Sequence, residues 1–320
     1  MPRFIVALCA LAFSFVAGAQ TWPAKPVKVI VSTGPGLATD IMARFMSDRL
    51  SKQMNQSFFV ENVAGAAGIL GAQAAARAAP DGYTFYFAPA SALVTNQFLF
   101  KSVPYDTTRD FTPVAMVCDT GPFVITVQPE LPVKTLPDLI AMAKSQPGKL
   151  SYAFDISSGY AAIIGQLINR RAGIDIVEVP YKATAQAIQD TMTGRTQMMI
   201  SSITATDTFV KSGKLRRIAV SSDRRYPGFK DVPTIAETLP GFKIDGWFAL
   251  VAPTGTPANA IQRLNREIDL FLKEPDTRER LFQFGLGTSG AGTPESTGEY
   301  IRTERERWAG IVKELNIQPQ

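Results

Sequence analysis

The sequence predicts an α/β protein of two lobes with a helical C-terminal tail, and three observations carry this expectation. Short β-branched and aromatic runs alternate with helix-length amphipathic segments, the pattern of βαβ units whose parallel strands are joined by right-handed crossovers. The alternation occurs as two successive series, the second starting after Pro113, and a return segment follows Pro240-Gly241 before a mainly helical tail. The chain has 320 residues, more than one ordinary hydrophobic core organises.

In chain order, Met1-Pro2-Arg3 makes a short positive start, and Phe4 to Ala17 is a largely apolar run without a charge. The run closes on Ala17-Gly18-Ala19, small residues suited to cleavage ahead of Gln20. Residues 1–19 are therefore expected to be an export signal. The run is short of the roughly 20 apolar residues that a bilayer core needs. Cys9 sits mid-run behind Leu8, not behind a small residue, which argues against a lipoprotein. Export from the cytoplasm is the resulting expectation.

Val27 to Val31 reads as a buried strand that breaks at Ser32-Thr33-Gly34-Pro35-Gly36. A helical pattern then places Ile41, Phe45 and Leu50 on one side. Phe58 to Glu61 is the next strand, followed by a glycine-containing loop and an alanine-rich helix to Ala79. Pro80-Asp81-Gly82 is a turn, and Tyr83 to Ala88 a third strand. The second series has candidate strands at Phe123 to Val127, Leu150 to Phe154, Ile176 to Val179, Gln197 to Ile200 and Leu215 to Val220. Helices fit between them at Thr135 to Lys144, Ala161 to Ala172, Thr184 to Met192 and Thr204 to Lys211. Trp247 to Ala252 is a returning strand, and Ala258 to Leu272, Asp276 to Phe284 and Pro294 to Leu315 form the tail. Lobe one is thus expected to be 20–122 plus 246–320, and lobe two 123–245, with a hinge where the chain crosses near Pro122 and Asp245.

Composition narrows the chemistry. Histidine is absent, which removes Ser-His-Asp and Cys-His nucleophile systems and His-containing zinc sites. Hydrolases that use lysine or paired carboxylates survive this exclusion, with Asp155 the one obvious carboxylate candidate. No G-x-S-x-G elbow or metal-ligand spacing is present, so no metal and no cofactor are expected. After signal removal only Cys118 remains, so no intramolecular disulfide can form, and its apolar run makes it a core residue. The formal charge is +5, from scattered basic residues without aromatic interleaving, which favours small anions over nucleic acid.

In parallel sheets ligands sit beyond the carboxyl ends of strands. Three loops there have suitable composition: Ser32 to Thr39, Gly65 to Gly71 and Ser157 to Ala162. Small residues leave backbone N–H groups accessible, and the following helix adds its unpaired first-turn donors, which together suit an anion. Taken singly, such glycines more often serve turns, and neither of the first two loops matches a P-loop or G-x-G-x-x-G fingerprint.

Several stretches together carry a family resemblance. They include Trp22-Pro23, Pro35-Gly36 with Asp40 and Arg44, Glu61-Asn62, Gly65-Ala66, Gly68, Gly71 and Ala79-Pro80-Asp81-Gly82-Tyr83-Thr84. Further on are Pro104-Tyr105-Asp106, Pro147-Gly148-Lys149-Leu150, Val179-Pro180-Tyr181-Lys182, Gly213-Lys214-Leu215-Arg216, Val232-Pro233-Thr234 and Gly255-Thr256-Pro257. In this order and spacing the chain resembles the Bug family of periplasmic solute receptors, the binding subunits of tripartite tricarboxylate transporters. The resemblance implies a type II-like Venus-flytrap fold, a small organic acid held between the lobes by backbone groups and hydroxyls, and permease subunits as membrane partners. It also implies a non-catalytic, monomeric protein. A sensor acting with a membrane kinase is the alternative that the sequence leaves open.

The residues expected at the ligand are Thr33, Gly34, Pro35, Gly36 and Thr39 in the first loop, with Ala66, Gly68 and Ile69 in the second. Ser91 follows the third strand. Ser157, Ser158, Gly159, Tyr160 and Ala161 form the third loop, joined by Tyr181, Thr184 and Ser201. Departures from the family pattern concentrate here. Leu37 and Ala67 stand where glycine is usual, Ile69 where a polar residue is frequent, Tyr160 near a usual His-Leu pair, Ala183 for glycine and Ser201 for aspartate. Tyr160 has two readings of equal weight, a ring facing the cleft or one packed at its helix start. Tyr181 is read as lining the cleft, Lys182 as a solvated lysine and Asp40 as a capping residue, since it would repel an acid. The less polar loops predict a larger, less polar acid than a small dicarboxylate.

Overall fold

A computed structural model describes residues 22–155 and 159–319, so the expected signal segment and Ile156 to Ser158 lie outside the described residues. Lobe one opens with β1 (Val27–Val31), α1 (Ala38–Met54), β2 (Phe58–Asn62), α2 (Ile69–Ala76) and β3 (Thr84–Pro89). A π-helical turn (Ser91–Thr95), the short α3 (Asn96–Leu99) and α4 (Thr107–Asp110) lead to β4 (Phe111–Cys118). The second series is β5 (Phe123–Val127), α5 (Leu136–Ser145), β6 (Ser151–Asp155), α6 (Gly159–Ala172), β7 (Val177–Tyr181), α7 (Thr184–Met192), β8 (Met198–Ser202), α8 (Ile203–Lys211) and β9 (Arg216–Val220). The chain returns as β10 (Phe248–Pro253) and ends in α9 (Ala258–Leu272), α10 (Pro275–Gln283) and α11 (Pro294–Leu315).

Two five-stranded sheets result, ordered β2-β1-β3-β10-β4 and β7-β6-β8-β5-β9. They are mixed, which corrects the expectation of purely parallel pairing. β1 runs parallel to β2 and β3, but β10 is antiparallel to both β3 and β4. In the second sheet β6 runs parallel to β7 and β8, whereas β5 is antiparallel to β8 and β9. The cause is the connection. β5 and β10 each arrive from the other lobe, so they enter their sheet from the side on which the parallel strands end. Each is the second strand from an edge, and there its direction must oppose its neighbours.

The two crossings touch. Gly246 N donates to Gly121 O at 2.8 Å, and Pro122 bridges Asp245. A Cβ on Gly121 would lie 2.7 Å from Gly246 O, so this approach requires glycine.

Alternation along each strand divides the core. Val27, Val29, Val31, Phe85 and Phe87 face α1 and α9, where Met42, Met46, Leu50, Leu264, Ile268 and Phe271 are buried. The inward face of α1 is thus built on methionines at i, i+4 spacing. Ile41 and Phe45, expected inside, are only half-buried, because the unbranched methionine chains fill the gap above the sheet. The opposite strand face, with Ile30, Tyr86 and Ala88, belongs to a cluster that continues through Ile301, Trp308 and Ile311 of α11 into Ile125, Ile200 and Ile218 of lobe two. A bidentate pair of Arg171 on α6 with Glu314 on α11, at 2.9 and 2.8 Å, reinforces that junction. Hence the tail joins the lobes instead of capping one of them.

Candidate functional site

The carboxyl ends of β1, β2 and β3 bring loop one, loop two and Ser91 to the same side of lobe one. Loop one is held by Asp40, which is 2% exposed and lies in the first turn of α1. Its carboxylate accepts from Gly36 N at 2.9 Å, Arg44 Nε at 3.1 Å and Asn62 Nδ2 at 2.8 Å. Burial pushes the Asp40 pKa up, but these donors outweigh it and leave the group below the ordinary carboxylate range. Its role is therefore structural, joining loop one and α1 to the end of β2. Asn62 also donates to Thr33 O at 2.9 Å, tying loop one to β2.

Thr33, half-buried, has its Oγ1 enclosed without a hydrogen-bond partner among the described residues. Gly34 is half-buried, Pro35 and Gly36 are exposed, and Thr39 is buried under the start of α1.

Loop two has unusual backbone geometry. Gly65, Ala66, Ala67 and Gly68 have φ of 133°, 47°, 54° and 86° in succession. Left-handed alanine costs roughly 1–2 kcal/mol per residue, so surrounding contacts must hold Ala66 and Ala67 there. One such contact is Asn96 Nδ2, which donates to Ala67 O at 3.1 Å. Another is the seating of α2 on β1. A Cβ on Gly71 would lie 2.7 Å from Ser32 Cα and 2.8 Å from Val63 O, so only glycine permits this approach. Ala66 is exposed and Gly68 half-buried, while Ile69 is buried in the core. Ser91, half-buried, opens the π-helical turn, a local geometry frequent at functional sites.

On lobe two, Ser157 and Ser158 lie outside the described residues. Gly159 is exposed where α6 begins. Tyr160 stacks on Phe123 (centroids 5.7 Å apart, 6°) and meets Trp308 edge-on at 5.0 Å. Of its two readings, the structure shows the packed one, with a buried hydroxyl that has no hydrogen-bond partner among the described residues. Burial pushes that phenol well above its usual pKa, with Glu304 adding to the effect.

Three expected contact residues are directed into the core. Ala161 is fully buried, and Ile69 is 8% exposed. Tyr181 packs with Ala187, Ile188 and Met199, and its hydroxyl donates to Asp190 Oδ2 at 2.8 Å near the far end of α7. Burial and then Asp190 push its pKa up to about 12. The ring ends up there because a small core between β7, β8 and α7 needs a large side chain, and Asp190 satisfies its hydroxyl. Thr184 Oγ1 donates to Asp155 Oδ2 at 2.5 Å, which ties the start of α7 to the end of β6. Ser201 is buried, with Oγ 3.3 Å from Ser202 O, and Lys182 is exposed.

Sequence reasoning assigned no role to Asn62 and Asn96, whose amides stitch the loops together, or to Leu70, which lies exposed over Gly65. An amide at the end of a strand was the available signal for Asn62.

Other features do not suggest competing chemistry. Burial pushes the Cys118 thiol up to about 12, far from a reactive thiolate. Among the described residues no group of carboxylates and thiols could hold a metal ion, and no helix is long and apolar enough to cross a membrane. A cavity of about 410 Å³ between α11 and the start of β4 is lined by Leu93, Phe111 and Ile301 and by no residue of loop one or loop two.

Comparison with known proteins agrees with this architecture. Residues 42–317 match the family described as tripartite tricarboxylate transporter family receptor. The chain is 37% identical over 302 residues to Protein BugT of Bordetella pertussis, covering 94% of this chain and 92% of that one. Among solved structures, an R. palustris protein with adipate superposes with a TM-score of 0.80 at 31% identity, covering 93% and 100% of the two chains. MatC from Rhodopseudomonas palustris with bound malate gives 0.74 at 29% identity, covering 91% and 100%.

Proposed function

We propose that this chain, which belongs to the tripartite tricarboxylate transporter receptor family, captures a small carboxylated solute between its lobes. The observation that carries the reading is the pair of uncharged loops at the ends of β1 and β2. They are exposed at Pro35, Gly36, Ala66 and Ala67, and Asn62 and Asn96 hold their backbones in place. Small-residue loops that lead into helix N-termini, as these do into α1 and α2, suit an anion without a charged side chain. The adipate and malate held by two structural neighbours support the carboxylate class.

In this reading lobe one (20–122 and 246–320) supplies the carboxylate cradle, and lobe two (123–245) closes on it through the loops after β6, β7 and β8. The touching crossings at Gly121 and Gly246 are the hinge. Residues 1–19 direct export to the periplasm, and the liganded, closed form is what membrane permease subunits receive. No step of catalysis is assigned. The test is thermal unfolding of the dialysed protein against a panel of mono-, di- and tricarboxylates. A ligand of the folded state raises the midpoint by mass action. No shift with any acid at millimolar concentration would overturn the proposal.

A further inference from the structure

We propose that the cavity between α11 and the start of β4 is a second small-molecule site, for an apolar molecule that carries a single negative charge at one end.

The cavity measures about 410 Å³, within the roughly 300–1,000 Å³ of ligand pockets. Its inner wall is apolar side chain from four elements: Leu93 of the π-helical turn, Phe111 of β4, Val251 of β10 and Ile301 of α11, each at most 6% exposed. The sequence of α11 leaves this space open. Pro294, Gly298, Ile301 and Arg305 follow one another at i, i+4, i+7 and i+11, so they share the helix face that borders the cavity. Glycine is unfavourable inside a helix, but a Cβ on Gly298 would lie 3.3 Å from Pro113 Cγ. The helix therefore passes close to β4 at Gly298, and no side chain from that position fills the space beside it.

Charge at the mouth is not balanced in the same way on each residue. Glu299 and Arg302 pair with each other at 3.5 Å. Glu295 is held at the start of the helix by its own backbone and by Thr293. Arg305 has no ion pair or hydrogen bond among the described residues. The acid that feels its charge, Asp106, already accepts from Thr108 N, Thr108 Oγ1 and Arg109 N at 2.8, 2.6 and 3.2 Å. Arg305 is half-buried, and helical side chains lean toward the N-terminus, which carries this one toward the Ile301 turn and the cavity. An apolar chamber with an uncommitted guanidinium at its edge suits an aliphatic or aromatic body bearing one carboxylate or sulfonate.

The site is read by fluorescence titration of the purified protein with anilinonaphthalene sulfonate and with its uncharged counterpart, phenylnaphthylamine. Expected are saturable binding of both at one site, tighter for the sulfonate, and loss of both in Gly298→Leu, whose side chain occupies the cavity. Arg305→Gln is expected to weaken the sulfonate about tenfold and to leave phenylnaphthylamine unchanged. The unfolding midpoint without dye reports that each variant is folded, and Arg305→Gln decides alone where Gly298→Leu does not fold. Dye binding that persists in folded Gly298→Leu would overturn the proposal. So would an Arg305→Gln effect equal for the two dyes, or no saturable binding of either dye by the unaltered protein.

Discussion

Replacing Asp245 with asparagine is expected to stabilise the protein at and above neutral pH while changing little near pH 4. Asp245 lies in the returning crossing, opposite Pro122, and is 4% exposed. Its Oδ1 has no hydrogen-bond partner among the described residues. Burial pushes its pKa from 3.8 up to about 7; Lys243 opposes the rise, and Asp223, Glu304 and Asp119 reinforce it. The folded state therefore holds a proton that the unfolded chain has released across this window. Stability from this group is present below about pH 4 and is lost as pH rises toward 7. The gap corresponds to about 4 kcal/mol as an upper figure. Asparagine keeps the shape and stays neutral at every pH. Urea unfolding of both proteins at intervals from pH 4.5 to 8 should show a stability difference that grows with pH and levels off above 7. Glu304, also buried and raised, repels the Asp245 charge, so the substitution eases its ionisation too and adds to the difference in the same direction. A difference that stays constant from pH 4.5 to 8 would refute the reasoning.

Other substitutions probe the loops and the core. Ala67→Gly should raise stability by roughly 0.5–1 kcal/mol, the relief of a left-handed alanine less the unfolded-state entropy of glycine; an unchanged or lower melting temperature would contradict the loop geometry. Gly71→Ala should cost about 2–3 kcal/mol, because its Cβ would meet Ser32 Cα and Val63 O at 2.7 and 2.8 Å. It should also weaken solute binding by displacing loop one, read by titration of the folded fraction. Tyr181→Phe should cost about 1–2 kcal/mol through the lost bond to Asp190 and leave solute affinity as it was. A large loss of affinity would instead place the Tyr181 hydroxyl in the cleft.

Much of the secondary structure was legible from local pattern alone. Val27–Val31, Phe123–Val127, Thr184–Met192, Ala258–Leu272 and Pro294–Leu315 fall where the sequence predicts them, since β-branched runs, helical periodicity and N-terminal prolines act within a few residues. The loops that build the cradle were also visible, through their glycines and their place after strands. Tertiary structure decided what depends on distant partners. The antiparallel insertion of β5 and β10, and the strand Phe111–Cys118 that sends the chain across, follow from two crossings that no local window contains. The methionine face of α1 follows from the sheet beneath it. Tyr160, Tyr181 and Ile69 show the same limit at the candidate site. An apolar or aromatic side chain at a strand end can face a cleft or a core at similar cost, and Trp308, Asp190 and the packed sheet settle which. The left-handed Ala66 and Ala67 belong with them, because alanine favours that backbone only where contacts from elsewhere in the chain outweigh its intrinsic preference.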